Sequence, residues 1–224
     1  MTNSEIRKLL ERWSRDGRRT VHEADTKRIL RLAGISVPER SPTQGMTVVK
    51  LASDKYPHKT EHGLVQLGVD ASDSEAVGRK MLQSDPDGEI LIERMVAGNI
   101  AEWIVGCKHD ETFGPIVLAG PGGVLVEILN EVEIRLAPAD EKIASKMLNG
   151  RVSEALLKGA RGKPPADCRS LTSFICLISK LFVEHSDLIQ EIEVNPVMVL
   201  RDGEGVVAAD ALIVLNQGND RRKT

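Results

Sequence analysis

QEIEVNPVMVLRDGEGVVAAD, residues 190–210, carries the strongest local instruction in this chain. Two apolar-rich runs flank Arg201-Asp202-Gly203-Glu204-Gly205. Asp-Gly between alternating runs is the strongest short-range hairpin signal. On the first run Glu191, Glu193 and Asn195 share one face, with Ile192 and Val194 on the other. A two-residue turn at Asp202-Gly203 sets Asn195 opposite Asp210. Glu193, Asn195 and Asp210 then converge at one end of the hairpin; a looser turn shifts the register by one residue. Two readings follow. One is a surface hairpin with solvated acids, since single carboxylates on strands are common on surfaces. The other is a site for a hard cation: Mg²⁺ takes oxygen ligands, keeps several waters, and uses one or two carboxylates together with substrate phosphates. Asn195-Pro196 favours the second. Proline removes a ladder donor, which puts the strand at an edge or bulge there, and bulges aim side chains at sites.

Working outward, 224 residues suit one large domain or two small lobes. Aromatics are only 3% of the chain, so Leu, Ile, Val and Met must fill the core. A net charge of −3 argues against a nucleic-acid partner. Cys107, Cys168 and Cys176 are scattered with no Cys-x-x-Cys, which reads as free thiols in a reducing cytoplasm. The N-terminal residues are charged from Glu5 onward, so no secretory leader is expected. No apolar run approaches the ~18 residues of a spanning helix, so no membrane partner is expected.

Ile6, Leu9, Leu10 and Trp13 have amphipathic helical spacing, ended by Asp16-Gly17. A second helix is predicted over Glu23–Ala33, with Gly34 just beyond its end. The Ile6–Trp13 stripe is either intramolecular core or a docking surface. Residues 40–46 form a Pro-containing loop, and Thr47–Ala52 a short strand. Its Lys50 is either an edge residue snorkelling to water, the reading preferred from local sequence, or a charge aimed at a phosphate. His58, Lys59, Glu61, His62 and Gly63 crowd a turn before the strand Leu64–Val69, a loop position where function concentrates. Ser74–Gln83 reads as a helix capped by Ser72 or Asp73, and 84–88 as a linker. Strands are predicted over Glu89–Met95, Glu102–Lys108, Pro115–Ala119 and Val124–Leu129. Gly120-Pro121-Gly122-Gly123 lies between the last two; such turns let backbone N–H groups approach phosphate, and they also simply connect strands. Helices follow over Asp140–Leu148, Ser153–Leu157 and Leu171–Val183, then the hairpin and the run Ala211–Leu215. The organisation expected is an N-terminal helical segment (1–37), a small lobe (38–88), a large lobe (89–215) and a disordered tail (216–224).

Taken in order, EADTKRILRLAGISVPE, VVKLAS, HKTEHGLV, ILIERMV, EWIVGCKHDETFGPIVLAGPGGVLVEIL, EIRLAP, GARGKPPAD and EIEVNPVMVL…AADA resemble the ATP-grasp β subunit of ADP-forming acyl-CoA synthetases, with the β subunit of succinyl-CoA synthetase a more distant relative. The resemblance spans 23–215. It implies a mixed α/β fold of two lobes gripping ATP or ADP, an Mg²⁺ ion, a CoA-binding α subunit as partner, and a hetero-oligomer, or a homodimer when alone. It matches Lys50 to a phosphate-contacting lysine and the segment Ile92–Met95, with Glu93, Arg94 and Met95, to the adenine-holding hinge. Gly63 falls at a phosphate-side turn, Glu102 at a nucleotide-holding glutamate, and His58 at a phosphate-carrying histidine. Asn195 and Asp210 match the metal ligands, with Glu193 beside them. The departures are a short interval between Val37 and Lys50, which trims the small lobe, Leu64 in place of a second glycine, Pro121 in the Gly-rich loop, and Leu212 in place of an arginine. They imply a second reading, a catalytically impaired ATP-grasp-like protein that binds a partner or senses nucleotide.

Overall fold

The computed structural model describes residues 2–52, 63–86, 88–122, 131–159 and 162–217. Its contacts divide the chain into two units, Met1–Val37 with Gly98–Thr224, and Pro38–Ala97. The expected boundary at residue 88 therefore moves. Residues 89–94 belong with the small unit because they form a strand of its sheet, and the N-terminal helices belong with the large unit because their apolar stripes complete its core.

The large unit holds α1 (Thr2–Arg15), β1 (Thr20–Val21), α2 (Glu23–Leu32), β5 (Ala101–Asp110), β6 (Gly114–Pro121), β7 (Glu133–Leu136), α4 (Glu141–Lys146), α5 (Arg151–Leu157), α6 (Cys168–Glu184), β8 (Ile189–Val199), β9 (Val206–Ala208) and β10 (Ala211–Leu215). Its antiparallel sheet runs β1-β10-β8-β5-β6-β7, and β9 pairs with β8. Alternation along β8 buries Ile192, Val194 and Val197 and leaves Glu191, Glu193 and Asn195 outside the core. The buried face packs on Leu171, Phe174, Ile175, Ile178 and Phe182 of α6 and on Ile29 and Leu30 of α2. Each fully buried residue of this kind contributes about 1.5–3 kcal/mol. Ile6, Leu10 and Trp13 of α1 join the same core, which settles that stripe as intramolecular packing.

Both N-terminal helices stop in the same way. Gly17 and Gly34 have φ of 76° and 81°. The Arg18 and Ile35 amides donate back to the Trp13 and Leu30 carbonyls at 3.0 and 2.9 Å, the 6→1 bond of a Schellman motif. Strand β7 falls where no strand was predicted. The predicted strand Val124–Leu129 lies outside the described residues. Asn216, expected in a disordered tail, is anchored: its amide donates to the Leu188 carbonyl at 2.8 Å and its Nδ2 to that of Ser186 at 3.1 Å.

The small unit contains β2 (Met46–Ala52), β3 (Val65–Asp70), α3 (Ser74–Met81) and β4 (Glu89–Arg94), with strand order β3-β2-β4. Val49, Leu51, Leu64 and Met81 form its core, flanked by Val69, Val77, Leu82, Ile90 and Ile92. Helix α3 begins after Asp73, but neither expected cap acts on it through its side chain. Asp73 makes no capping bond, and Ser72 is turned to Asp70 Oδ1. Among the described residues no helix is long and apolar enough to cross a membrane.

Candidate functional site

In the large unit the candidate residues gather at the break between β9 and β10. Strand β8 pairs Val197 with Ala208 and Val199 with Val206, then Val194 with Ala211 and Glu193 with Leu212. This is the register set by a turn centred on Asp202-Gly203, and the Glu204 amide closes that turn on the Arg201 carbonyl at 2.8 Å. Gly203 has φ of 84°, which a side chain would strain. Asn195 and Asp210 meet directly: the Asn195 amide donates to the Asp210 carbonyl at 3.1 Å. The Asp210 carboxylate accepts from the Ala211 amide at 2.8 Å, which orients its Oδ1.

Glu193 stands between Gly106 of β5, which offers no side chain, and Leu212 of β10. Burial pushes its carboxyl pKa up. Glu191 adds to the rise, an Asn195 side-chain hydrogen bond partly offsets it, and Asp210 adds a further push. The end of this hairpin therefore concentrates negative charge that a cation would relieve. Among the described residues no group of three or more His, Cys, Asp or Glu side chains is placed to hold a metal ion alone. Two carboxylates and an amide oxygen fit an ion that draws its remaining ligands from water and phosphate, which is the habit of Mg²⁺. A closed all-protein cage would not be served by this set.

Glu102 of β5 lies opposite Met198, and its Oε1 accepts from Asn99 Nδ2 at 3.5 Å. Its carbonyl accepts from the Gly122 amide at 2.7 Å. A Cβ on Gly122 would sit 2.9 Å from the Trp103 backbone, and one on Gly120 would sit 2.5 Å from the Glu131 carbonyl. These two glycines are thus required by close backbone packing; the remainder of the Gly-rich turn, from Gly123, lies outside the described residues.

In the small unit Lys50 corrects the snorkelling reading. It lies on the central strand rather than an edge, and only 6% of it is exposed. It faces away from the apolar cluster, and its Nζ is 3.2 Å from Glu93 Oε2, a diagonal cross-strand pair. Its ammonium thus meets a buried carboxylate rather than water. Such pairs are costly to desolvate and concentrate at functional sites. Arg94 is occupied differently: its guanidinium binds Glu39 at 2.7 Å and the Gln44 carbonyl at 3.1 Å, tying the 38–45 loop down. The hinge backbone is engaged too. The Ile92 carbonyl accepts from Ser41, the Arg94 amide donates to the Glu39 carbonyl, and the Met95 amide to that of Met46, at 2.8, 2.8 and 2.9 Å. Gly63 enters β3 with φ of 68°, and the side chain of Leu64 is used for core. His58 lies outside the described residues.

Two features were missed in the sequence. Asp167 accepts from the Ser170 amide and hydroxyl (2.9 and 3.0 Å) and from the Gly203 and Gly205 amides (3.1 and 2.9 Å). It caps α6 and holds the hairpin turn at once; Pro-Pro-Ala-Asp before an apolar helix was the available signal. The other is a buried Glu23–Lys27 pair, whose i,i+4 spacing reads in sequence as an ordinary exposed pair.

One unit thus carries an antiparallel sheet with a buried lysine, and the other an antiparallel sheet with an acidic hairpin end. This chain belongs to the ATP-grasp domain family, whose model matches residues 12–215. An ATP-grasp domain binds ATP or ADP. More particularly, the chain is 32% identical to the β subunit of acetate–CoA ligase [ADP-forming] II from Pyrococcus furiosus, over 94% of this chain and 98% of that protein. It superposes on a Pyrococcus horikoshii Ot3 protein with TM-score 0.84 and 29% identity, covering 96% of this chain and 99% of that one. It also superposes on a Ca. Korarchaeum cryptofilum acetyl-coenzyme A synthetase 1 in complex with coenzyme A and Mg-AMPPCP, with TM-score 0.81 and 26% identity, covering 94% and 100%. The sequence reading of a synthetase β subunit agrees with these relatives.

Proposed function

We propose that this chain is the nucleotide-binding β subunit of an ADP-forming acyl-CoA synthetase and works with a CoA-binding α subunit. The observation that carries the reading is the convergence of Glu193, Asn195 and Asp210 at one end of the hairpin. The Pyrococcus furiosus relative is named as a β subunit, which implies a partner subunit. The reaction interconverts acyl-CoA, ADP and phosphate with carboxylate, CoA and ATP.

In this reading Asn195, Asp210 and Glu193 hold Mg²⁺. When bound, the ion neutralises charge on the nucleotide phosphate oxygens. Lys50, oriented by Glu93, contacts the phosphates. It supplies fixed positive charge where negative charge develops, so no reorganisation is needed during transfer. Glu102, held by Asn99, the Glu93–Met95 segment and Gly63 position the nucleotide. His58 carries the phosphoryl group between the nucleotide and the α subunit. A reducing, cytoplasmic setting is consistent with the free thiols of the chain's three cysteines.

The test is ATP formation from acetyl-CoA, ADP and phosphate by the chain mixed with a CoA-binding α subunit, with and without Mg²⁺. Mg²⁺-dependent ATP formation, abolished in His58→Ala, supports the proposal; its absence from a well-folded mixture overturns it. A second reading, a nucleotide-sensing protein with impaired chemistry, draws on Leu212. This apolar residue, 42% exposed, sits beside Glu193 where the resemblance implies an arginine. Nucleotide binding without ATP formation would favour it.

A further inference from the structure

Pro196 and Ala209 face each other across the hairpin. The Ala209 amide donates to the Pro196 carbonyl at 3.0 Å. In an antiparallel ladder such a pair exchanges two bonds, but proline has no N–H to return. Pro196 therefore cannot donate to the Ala209 carbonyl, which lies one residue before Asp210. Lys27 of α2 donates to it. Its Nζ lies 2.6 Å from the Ala209 oxygen and 2.7 Å from Glu23 Oε1. Both side chains are essentially closed to solvent, 3% and 1% exposed.

A buried ion pair is an expensive way to satisfy one carbonyl, and similar apolar residues often do as well for stability. Its placement gives it a use. The Ala208 amide is tied to the Ser36 carbonyl at 2.9 Å and the Asp210 carbonyl to the Asn195 amide at 3.1 Å. With Lys27 on the carbonyl of Ala209, hydrogen bonds hold Ala208, Ala209 and Asp210 in turn. We propose that Lys27, oriented by Glu23, is a positioning residue that fixes the Ala209–Asp210 peptide and so aims the Asp210 carboxylate at the metal. This rests on the metal-nucleotide site proposed above. Supporting shells of this kind typically change metal affinity 10–100-fold when removed.

The test uses the full chain carrying Glu23→Leu with Lys27→Met, which removes both members of the pair; Glu23→Gln with Lys27→Met serves if the first double variant does not fold. The first readout needs no metal: amide hydrogen exchange of Asn195 and Ala211, both bonded to Asp210. The expected result is exchange about tenfold faster at these two amides, the scale of one lost hydrogen bond, with Ile192 and Val199 unchanged. The second is ADP affinity with and without Mg²⁺. The Mg²⁺-dependent gain should fall by roughly 10–100-fold while metal-free affinity holds, with no further loss when the variant is placed in an Asp210→Asn background. Unchanged exchange at both amides, or an undiminished Mg²⁺ gain in a protein whose gain Asp210→Asn abolishes, overturns the positioning role alone. Absence of any Mg²⁺ gain in the unsubstituted chain overturns the site on which it rests, and the aiming of Asp210 with it.

Discussion

Replacing Asp167 with alanine tests how the hairpin is held. The carboxylate is 4% exposed and serves two elements, the first turn of α6 and the β8–β9 turn. Loss of the helix cap costs about 1 kcal/mol. The Gly203 and Gly205 amides sit in a turn that water reaches, so each lost bond costs roughly 0.5–1.5 kcal/mol net. The sum is about 2–4 kcal/mol, or a fall in Tm of roughly 5–12 °C for a chain of this size. The pH dependence adds a sharper criterion. Burial pushes the Asp167 pKa up, but the Ser170 and Gly205 amides, the Ser170 hydroxyl and the Gly203 amide together hold it below the ordinary carboxylate value. A depressed pKa contributes stability that is fully present above the unfolded value and is lost as pH falls through the folded one. Urea unfolding of both proteins should show a constant gap from neutral pH down to the ordinary carboxylate range and a shrinking gap below it. A gap under ~0.5 kcal/mol at pH 7, or one that persists unchanged in acid, would refute the assignment of these bonds.

Other variants probe the two halves of the site separately. Glu193→Gln should raise the Tm of the metal-free protein by a few degrees at pH 7, as removal of strained functional charge commonly does. Its folded pKa is raised, so the ionised form destabilises the fold at neutral pH and the gain should vanish below the unfolded carboxylate value; differential scanning calorimetry at both pH values checks this. Lys50→Met alone removes the Lys50 partner of buried Glu93 and should cost about 3–5 kcal/mol of small-unit stability, and Lys50→Met with Glu93→Leu should cost less; hydrogen exchange of β2 amides reads both. His185 is 1% exposed, and neither ring nitrogen has a hydrogen-bond partner among the described residues. Burial lowers its pKa most; Glu184 opposes this, Arg7 lowers it further, and Asp187 raises it slightly. The neutral ring is favoured in the fold, so stability should fall as pH drops below the ordinary histidine value, and His185→Leu should flatten that slope in urea titrations between pH 7.5 and 5.5.

The hairpin was legible because its register is a local property. Asp202-Gly203 sets the turn, and the alternation of Ile192 and Val194 with Glu191 and Glu193 then assigns every side chain to a face. The helix ends at Gly17 and Gly34 were legible for the same reason, since a positive φ is written in one residue. What depends on neighbours remote in sequence was not. Lys50 reads as an edge residue until β3 and β4 are placed on both sides of its strand. Glu23 and Lys27 read as a solvated i,i+4 pair until Ala209 arrives from the far end of the chain. The boundary drawn at 88 followed the turn residues 84–88, but the strand after them pairs back onto β2, and a loop does not end a domain when its next strand does.

The measurement that bears most directly on the account is calorimetric titration of the chain, alone and with a CoA-binding α subunit, using ADP with and without Mg²⁺, alongside Asp210→Ala. Binding that strengthens with Mg²⁺ and loses that gain in the variant is the predicted result. An Asp210→Ala protein that binds Mg-ADP as tightly as the unsubstituted chain would contradict the placement of the metal at the hairpin.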